Sequence, residues 1–322
     1  MLVFLQFVPF LFLVILANVG ERQEAVKYVT YGLLALINAA CVLIGLFFAL
    51  AHVLMPYVNL EDYIFPGMDL WGVAIVLVLV AAIGFALLLP GVRRVIARFT
   101  DTNPASPVQT TAFSLAVYWV GASVAQVMLV GGLEGLAVLP IEATAVDLLA
   151  SGLALTLFGF LGVGYPIRRR MGETLERLGL RVPTLRHLGI AAVAIVGFLL
   201  LDYAVARVWA VLNPEQYELI GRVSLGLFGD IDIWKAAAIG ISAGIGEEVL
   251  FRGAVQPRFG LWITAALFTM GHTQYGISPA ILEIFVVGLV LGVIRNRTNT
   301  TTCILIHALY NFSDVLLMPL FP

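Results

Sequence analysis

Apolar runs long enough to cross a lipid bilayer follow one another along almost the whole chain. A transmembrane helix needs about 20 apolar residues, and the chain contains ten runs near this length, of which the last four are more closely spaced. They lie near residues 2–20, 29–55, 70–90, 111–133, 147–166, 188–212, 234–256, 261–275, 279–294 and 300–320. The pattern predicts an all-α fold, a polytopic transmembrane helix bundle of about ten spans.

The composition argues against every class of soluble protein. Hydrophobic residues make up 61% of the 322 positions, whereas the 18 Lys and Arg and the 20 Asp and Glu together make up only 12%, about half the share found in soluble domains. So few charges cannot cover the surface of a soluble enzyme of this size. A net charge of −2 also gives no overall attraction to nucleic acid. We therefore expect membrane lipid, and not nucleic acid, as a partner.

Basic residues recur in every second connection between the runs, and Arg222 in the connection 213–233 is the exception. The segments 21–28, 91–110 and 167–187 each carry Lys or Arg, whereas 56–69 and 134–147 carry neither. By the positive-inside rule, the basic connections face the cytoplasm, which leaves both termini outside. We therefore expect a multi-pass integral membrane protein, and place it in the plasma membrane.

The most basic connection divides the chain into three parts. Residues 167–187 contain six arginines and a stretch with helical amphipathic spacing, which favours a cytoplasmic anchor against anionic headgroups over a partner-binding segment. Before this connector, residues 1–166 form a five-span membrane region with almost no internal charge, and nothing in it indicates a role. After it, residues 188–322 carry ionisable groups inside spans, which by default mark a functional site.

Two adjacent glutamates lie inside the seventh run, in the sequence GIGEEVLFRGAV. Glu248 and Arg252 are four residues apart, on one face of a helix, where their side chains can form an ion pair. Glu247 is rotated by about 100° from Glu248, so its carboxylate can point elsewhere without a compensating charge. A structural ion pair with a spare carboxylate is the poorer explanation of this pattern. A transporter's proton relay would use the same residues.

A histidine in the next run lies at the same predicted depth as the first glutamate. In FTMGHTQYG, His272 follows Phe268 by four residues. The natural turn between the two runs is at 258–260, and Glu247 and His272 each lie about 12 residues from it, or roughly 18 Å along a helix. An antiparallel helical hairpin would therefore bring Glu247 and His272 level.

A second histidine lies at a similar depth in the last run. In ILIHALYNFSD, His307 and Asn311 are again four residues apart. Counted from the polar turn at 295–300, they lie roughly 12–18 Å along the helix. Three runs therefore place polar side chains at one depth in the bundle, which we call the active-site layer. Helix packing alone is a poor explanation of this shared depth.

This layer contains the side chains needed to hydrolyse an acyl group such as a peptide bond. A desolvated carboxylate is a stronger general base, and beside an imidazole it can polarise a water molecule. A second imidazole and an amide can stabilise the oxyanion of a tetrahedral intermediate. This chemistry requires no cofactor. Glu247, His272 and His307 are also acceptable Zn²⁺ ligands, but the chain has no HExxH motif, so zinc stays open.

Three further ionisable residues inside the runs are not used by this chemistry. We interpret Asp202 and Arg207 as a pair whose charged ends reach toward the membrane–water interface. We interpret Glu283 as a residue that lines the cavity of the active site. An ion-coupled transporter would recruit all three charges. A catalytically inactive membrane scaffold would need none of them, and would also leave the glutamate and the two histidines without a task.

The ordered set of motifs resembles that of the CAAX prenyl protease and bacteriocin-processing family of intramembrane proteases, the CPBP or Abi family. The family pattern is EExxxR, then FxxxH, then HxxxN/D on successive membrane helices. In this chain it reads Glu247-Glu248-x-x-x-Arg252, Phe268-x-x-x-His272 and His307-x-x-x-Asn311. The resemblance covers roughly residues 188–322. It implies a peptidase that acts on a membrane-tethered protein or peptide, either of the prenylated CAAX type or bacteriocin-like.

The resemblance also implies a role for each matching residue. Glu247 would activate the attacking water with help from His272, supported by the ion pair of the second glutamate with the arginine. His307 and Asn311 would stabilise the oxyanion. Members of the family have been described as metalloproteases, so the resemblance leaves metal dependence open between none and zinc. We expect the active site to open toward the cytoplasm.

Overall fold

The computed structural model describes residues 2–57, 67–139 and 142–317, and these residues form a helical protein without strands. The helices are α1 (Leu2–Leu5), α2 (Val8–Gly20), α3 (Glu24–Leu54), α4 (Leu70–Leu88), α5 (Pro90–Ile96), α6 (Pro107–Leu129), α7 (Gly132–Val138), α8 (Ala145–Val163), α9 (Met171–Leu178), α10 (Leu185–Leu212), α11 (Pro214–Phe228), α12 (Ile233–Ile241), the π-helices π1 (Ser242–Glu247) and π2 (Val249–Val255), α13 (Gln256–Phe259), α14 (Leu261–Met270), α15 (Pro279–Arg297) and α16 (Thr300–Leu317). The predicted all-α fold class is confirmed.

Helices lie at all ten predicted span positions. Six of them, namely α3, α4, α6, α8, α10 and α15, are long and apolar enough to cross a bilayer by length and composition. The helices α2 and α14 are apolar but shorter, with 13 and 10 residues. The seventh span consists of α12, π1, π2 and α13 in series. The chain is therefore a multi-pass membrane protein, and about ten spans fit its helices.

The eighth span differs from its predicted form. The helix α14 has ten residues and is about 15 Å long, half of the roughly 30 Å hydrocarbon core. Gly260, at φ +83°, turns the chain into α14. After α14 the chain continues through a short 3₁₀-helix at Thr273–Tyr275 before α15 begins. The predicted run 261–275 is thus a half-length helix followed by irregular backbone, which a membrane tolerates where it lines a protein cavity.

The first spans pack around their own apolar cluster, except for α8. Leu13, Leu34, Val80 and Tyr118 from α2, α3, α4 and α6 form this cluster. The helix α8 lies against π1 instead, where a Cβ added at Gly152 would come within 2.8 Å of the Ser242 backbone. The division at residue 166 stays a prediction, and the last helix before it packs closely on the C-terminal region.

The basic connector packs on protein through the apolar side of α9. Gly164 ends α8 in the left-handed conformation, at φ +110°. Leu178 on α9 is fully buried in a cluster with Val163 and Val249, and the Thr300 hydroxyl donates a 2.6 Å hydrogen bond to the Leu178 carbonyl oxygen. The amphipathic spacing therefore reflects burial against α8, π2 and the start of α16. The apolar side of α9 is not the lipid-facing anchor that the sequence suggested.

Two glycines bring α16 close to the helix that carries the glutamates. A Cβ added at Gly240 would lie 2.5 Å from the Ala308 carbonyl oxygen, and one added at Gly244 would lie 2.8 Å from the Ala308 Cα. The two glycines have GxxxG spacing, which allows close approach of membrane helices. Because Ala308 follows His307 directly, this contact positions the histidine beside π1 and π2.

Candidate active site

The two glutamates lie where one π-helix ends and the next begins. Glu247 is the last residue of π1, and Glu248 separates π1 from π2. The π-helix is rare and occurs mostly as short insertions in α-helices, frequently at functional sites. The sequence did not predict this geometry, because the spacing of the motif was interpreted as that of an ordinary α-helix.

Two arginines bond the backbone carbonyls along π2. Arg295 Nε donates a 3.1 Å hydrogen bond to the carbonyl oxygen of Arg252. Arg177 Nη1 donates a 3.0 Å bond to the carbonyl oxygen of Gly253, and Nη2 a 3.4 Å bond to that of Ala254. The carbonyl oxygens of three successive residues, 252–254, thus accept hydrogen bonds from arginine side chains of the basic connections. These bonds tie the π-helical segment to α9 and α15.

Glu248 forms the predicted ion pair with Arg252 and also binds a histidine. Arg252 Nε lies 3.3 Å from Glu248 Oε2, and both residues are fully buried. His307 Nδ1 lies 2.9 Å from Glu248 Oε1. Both oxygens of this carboxylate therefore face a nitrogen of another side chain. The contact with His307 was not predicted, since the residues are 59 positions apart and the motif spacing assigned His307 only to the oxyanion.

Phe268 packs against the arginine and between the two histidines. Its ring centre lies 4.4 Å from the Arg252 Cζ, a cation–π contact that is strongest when desolvated. The same ring lies 5.1 Å from the His272 ring and 5.9 Å from the His307 ring, between centroids. No role was predicted for Phe268 from the sequence. Its position one helical turn before His272 is the signal that could have indicated a contact with that histidine.

His272 follows the end of α14 and has a defined tautomer. Its Nδ1 lies 2.9 Å from the carbonyl oxygen of Phe268. A carbonyl oxygen can only accept a hydrogen bond, so this contact assigns the proton to Nδ1. Nε2 of the neutral ring then carries a lone pair. That nitrogen can accept a hydrogen bond from water.

Glu247 is the partly buried carboxylate that its neighbours do not neutralise. Its Oε2 is buried and has no hydrogen-bond partner in the described part of the chain. The carboxylate lies within electrostatic range of Tyr275, whose ring stacks on that of His272 with centroids 6.4 Å apart. Glu247 and His272 therefore border the same tyrosine. A buried polar atom without a partner calls for an explanation such as a catalytic role.

Asn311 lies one helical turn beyond His307 on α16. It is partly buried, and its side-chain amide forms no hydrogen bond to the other described residues. The structure thus brings the second glutamate, the arginine, Phe268 and both histidines into a connected set. The amide of Asn311 lies on the next turn from that set and is free to donate.

The predicted pairing of Asp202 with Arg207 is wrong. The Asp202 side chain faces that of Asp314 on α16, and the Arg207 Cζ lies 5.3 Å from the centre of the Tyr203 ring. Residues five apart on a helix are about 140° apart around its axis, so Asp202 and Arg207 point in different directions. Glu283 is 8% exposed, and its Oε1 has no hydrogen-bond partner among the described residues.

The geometry does not form the zinc site considered from the sequence. Within residues 2–57, 67–139 and 142–317, no three His, Cys, Asp or Glu side chains converge as metal ligands. Nδ1 of His307 is directed at the second glutamate. We therefore assign no step of the reaction to a metal ion.

A comparison with known families identifies the C-terminal part of the chain. Residues 229–313 match the family model described as type II CAAX prenyl endopeptidase Rce1-like. No curated protein and no solved structure matches the chain. The matched segment runs from just before α12 into α16 and contains every motif residue quoted above. The resemblance is therefore confirmed over residues 229–313, which are similar to the Rce1-like type II CAAX prenyl endopeptidases, consistent with a CPBP family protease in the membrane.

Proposed function

We propose that the chain is an intramembrane endopeptidase that hydrolyses a peptide bond with a water molecule activated by Glu247. The proposal rests on the contrast between the two adjacent glutamates. Glu248 forms an ion pair with Arg252 and a hydrogen bond with His307, whereas Glu247 Oε2 is buried and has no hydrogen-bond partner among the described residues. A desolvated carboxylate that no cation neutralises is the stronger base. The family match supports a CAAX-type peptidase.

His272 supplies the second contact to the water molecule. Its Nδ1–H bond to the Phe268 carbonyl oxygen leaves the Nε2 lone pair available. A water molecule that donates one hydrogen to Glu247 and the other to His272 Nε2 has its oxygen lone pairs free for attack. The short helix before His272 and the stacked Tyr275 hold this ring in place.

His307 is the side chain that we assign to the oxyanion. Its Nδ1 lies 2.9 Å from Glu248 Oε1, so Nε2 is the nitrogen left for the substrate. The proposed reaction requires a proton on each nitrogen of this ring, with Nδ1–H donating to Glu248 and Nε2–H to the oxyanion. Asn311 adds a neutral donor on the next turn.

The reaction steps follow from these positions. Glu247 takes a proton from water as the water oxygen bonds to the carbonyl carbon of the scissile peptide. The carbonyl oxygen becomes an oxyanion, which accepts hydrogen bonds from His307 Nε2–H and the Asn311 amide. Glu247 then gives its proton to the leaving nitrogen as the C–N bond breaks. The products are a carboxylic acid and an amine, and Glu247 is again a carboxylate.

The substrate that fits this proposal is a protein or peptide tethered to the membrane. The family match favours the tail of a prenylated CAAX protein, with a bacteriocin-like peptide as the alternative. We place the opening of the site on the cytoplasmic side of the plasma membrane. The arginines that bond the carbonyl groups of residues 252–254 in π2 support this side, because they belong to basic connections that the positive-inside rule assigns to the cytoplasm.

The test uses the purified full chain in detergent micelles with a prenylated peptide that fluoresces on cleavage. Glu247→Gln keeps the size of the side chain and removes the base. A general base contributes about 10²–10⁴-fold, so kcat should fall by about that factor with little change in KM. Cleavage by Glu247→Gln at the wild-type rate would contradict the mechanism.

Glu283→Gln is the matched control, because it makes the same substitution at another buried carboxylate. The peptidase is expected to keep its rate in this variant. An ion-coupled transporter would show the opposite result: solute flux into proteoliposomes that depends on a proton gradient and is lost in Glu283→Gln, with no cleavage. An inactive scaffold would show neither activity in the wild-type chain.

A further inference from the structure

A cavity of about 490 Å³ lies between the N-terminal helices and π2, apart from the candidate active site. The helices α2, α6 and α8 line one side of it, and π2 and α13 line the other. Glu247, His272 and His307 are not among its lining residues. Its volume is in the range of small-molecule binding sites. The proposed reaction makes no use of it.

The wall of this cavity is largely apolar along much of α6. The lining residues of that helix run from Val108 to Gln126, which corresponds to about 27 Å along the helix axis. This length is close to the thickness of the hydrocarbon core. Phe10, Leu155 and Phe251 line the cavity from the neighbouring helices. The shape therefore suits a long hydrocarbon chain.

Arginines gather at one end of the same cavity. Arg168, Arg169, Arg177 and Arg258 line it, and among its described lining residues Glu21 is the single carboxylate. Burial, together with the neighbouring arginines, lowers the pKa of Arg177 to about 10. Arg258 is ion-paired with Asp101, with Nη1 3.0 Å from Oδ2, which leaves three arginines and the single carboxylate of Glu21 at this end of the cavity. A bound anion would relieve their repulsion.

Three of these guanidinium groups are held in place by bonds that use few of their donors. Arg168 Nε donates a 2.7 Å bond to Asn18 Oδ1, and Arg169 donates to the carbonyl oxygen of Val163. Arg177 donates to two carbonyl groups of π2. Each guanidinium has five N–H donors, so most of them are left for a ligand. Preorganised arginines suit the oxygens of a phosphate group.

We propose that this cavity binds an acidic phospholipid, with its phosphate at Arg168, Arg169 and Arg177 and an acyl chain along α6. Charge complementarity at one end and the apolar length at the other argue for this occupant, and basic pockets between membrane helices bind such headgroups. The rings of Phe251 and Phe268, which meet edge to face with centroids 5.5 Å apart, lie between the cavity and the active-site layer. This separation favours a lipid over the peptidase substrate.

The experiment measures the thermal unfolding midpoint of the purified full chain in neutral micelles. Phosphatidylglycerol should raise the midpoint, whereas phosphatidylcholine with the same acyl chains and inorganic phosphate alone should not. Arg169→Gln should raise the phosphatidylglycerol concentration needed for half-maximal stabilisation about tenfold. A change of this size corresponds to the loss of one charge-assisted hydrogen bond. Arg186→Gln is the matched control, because Arg186 is an exposed arginine of the same connector outside the cavity.

Ala116→Phe tests the apolar end while keeping every charge. Ala116 lines the cavity from α6, so a phenyl ring there should occupy the acyl-chain space and abolish the stabilisation. A monodisperse size-exclusion profile verifies that the variant folds. Equal stabilisation of the wild-type chain, Arg169→Gln and Ala116→Phe would overturn the proposal. Stabilisation by inorganic phosphate alone, or displacement of the lipid by a prenylated peptide, would overturn it too. Because binding is measured without cleavage, neither result depends on the peptidase proposal.

Discussion

Replacing Arg252 with methionine should be among the most destabilising substitutions in the chain. The Arg252 and Glu248 side chains are 1% and 0% exposed, with Nε 3.3 Å from Oε2. Removing one partner of a buried ion pair costs about 3–5 kcal/mol, because the other charge is left unpaired in a low-dielectric interior. The unfolding equilibrium constant of Arg252→Met should therefore rise by roughly 10²–10⁴-fold.

The double variant Glu248→Gln with Arg252→Met should recover a large part of this loss. It removes both charges together, and replacing a buried ion pair with neutral groups is often close to neutral for stability. The glutamine oxygen can still accept a hydrogen bond from His307 Nδ1–H, so that contact is kept. We expect the double variant to be more stable than Arg252→Met by about 2 kcal/mol, within the range of coupling energies for residues in contact.

The assay is reversible unfolding of the purified chain in mixed micelles, with Arg181→Met as the matched control. Arg181 forms an ion pair with Glu176 at 3.4 Å, but these side chains are 65% and 74% exposed, and such pairs contribute about 0–1 kcal/mol. The reasoning is refuted if Arg252→Met costs no more than Arg181→Met. It is refuted equally if the double variant loses the full sum of the two single losses.

Two further predictions concern packing and metal dependence. Gly244→Leu should destabilise the fold by about 1–3 kcal/mol, because the added Cβ would lie 2.6 Å from the Ala308 Cβ. Gly32→Leu is the control, since nothing lies within 4 Å of its added Cβ, and its stability should stay within about 0.5 kcal/mol of wild type. Thermal unfolding of both variants provides the measurement. Prolonged incubation with a strong Zn²⁺ chelator should leave peptide cleavage unchanged, and an activity that chelation removes and Zn²⁺ restores would contradict the metal-free mechanism.

The features predicted correctly from the sequence are those that depend on local distances along the chain. The span positions follow from the apolar length that a bilayer requires. The ion pair of Glu248 and Arg252 follows from their i,i+4 spacing, which places the two side chains on one face even in the π-helical segment. Both rules need no knowledge of how helices are arranged around one another.

The features missed depend on tertiary arrangement. The bond of His307 to Glu248 joins α16 to the junction of π1 and π2, and no spacing within either segment indicates it. The end of α14 at Met270 was not predicted, because residues 271–274 were counted within the run 261–275, although their sequence GHTQ interrupts the apolar residues. The amphipathic spacing of α9 is the same whether its apolar side meets lipid or protein, so only the buried position of Leu178 decides between them.

The contact between His307 and Glu248 also bears on the proposed reaction, because it determines which nitrogen of His307 is left for the oxyanion. Nδ1 of His307 faces Glu248, so Nε2 is the nitrogen that remains. In the proposed reaction, Glu247 becomes neutral when it takes a proton from water, and the negative charge appears on the oxyanion beside His307 and Asn311. Because an uncompensated charge is costly in the membrane interior, donors held beside the oxyanion would favour the intermediate.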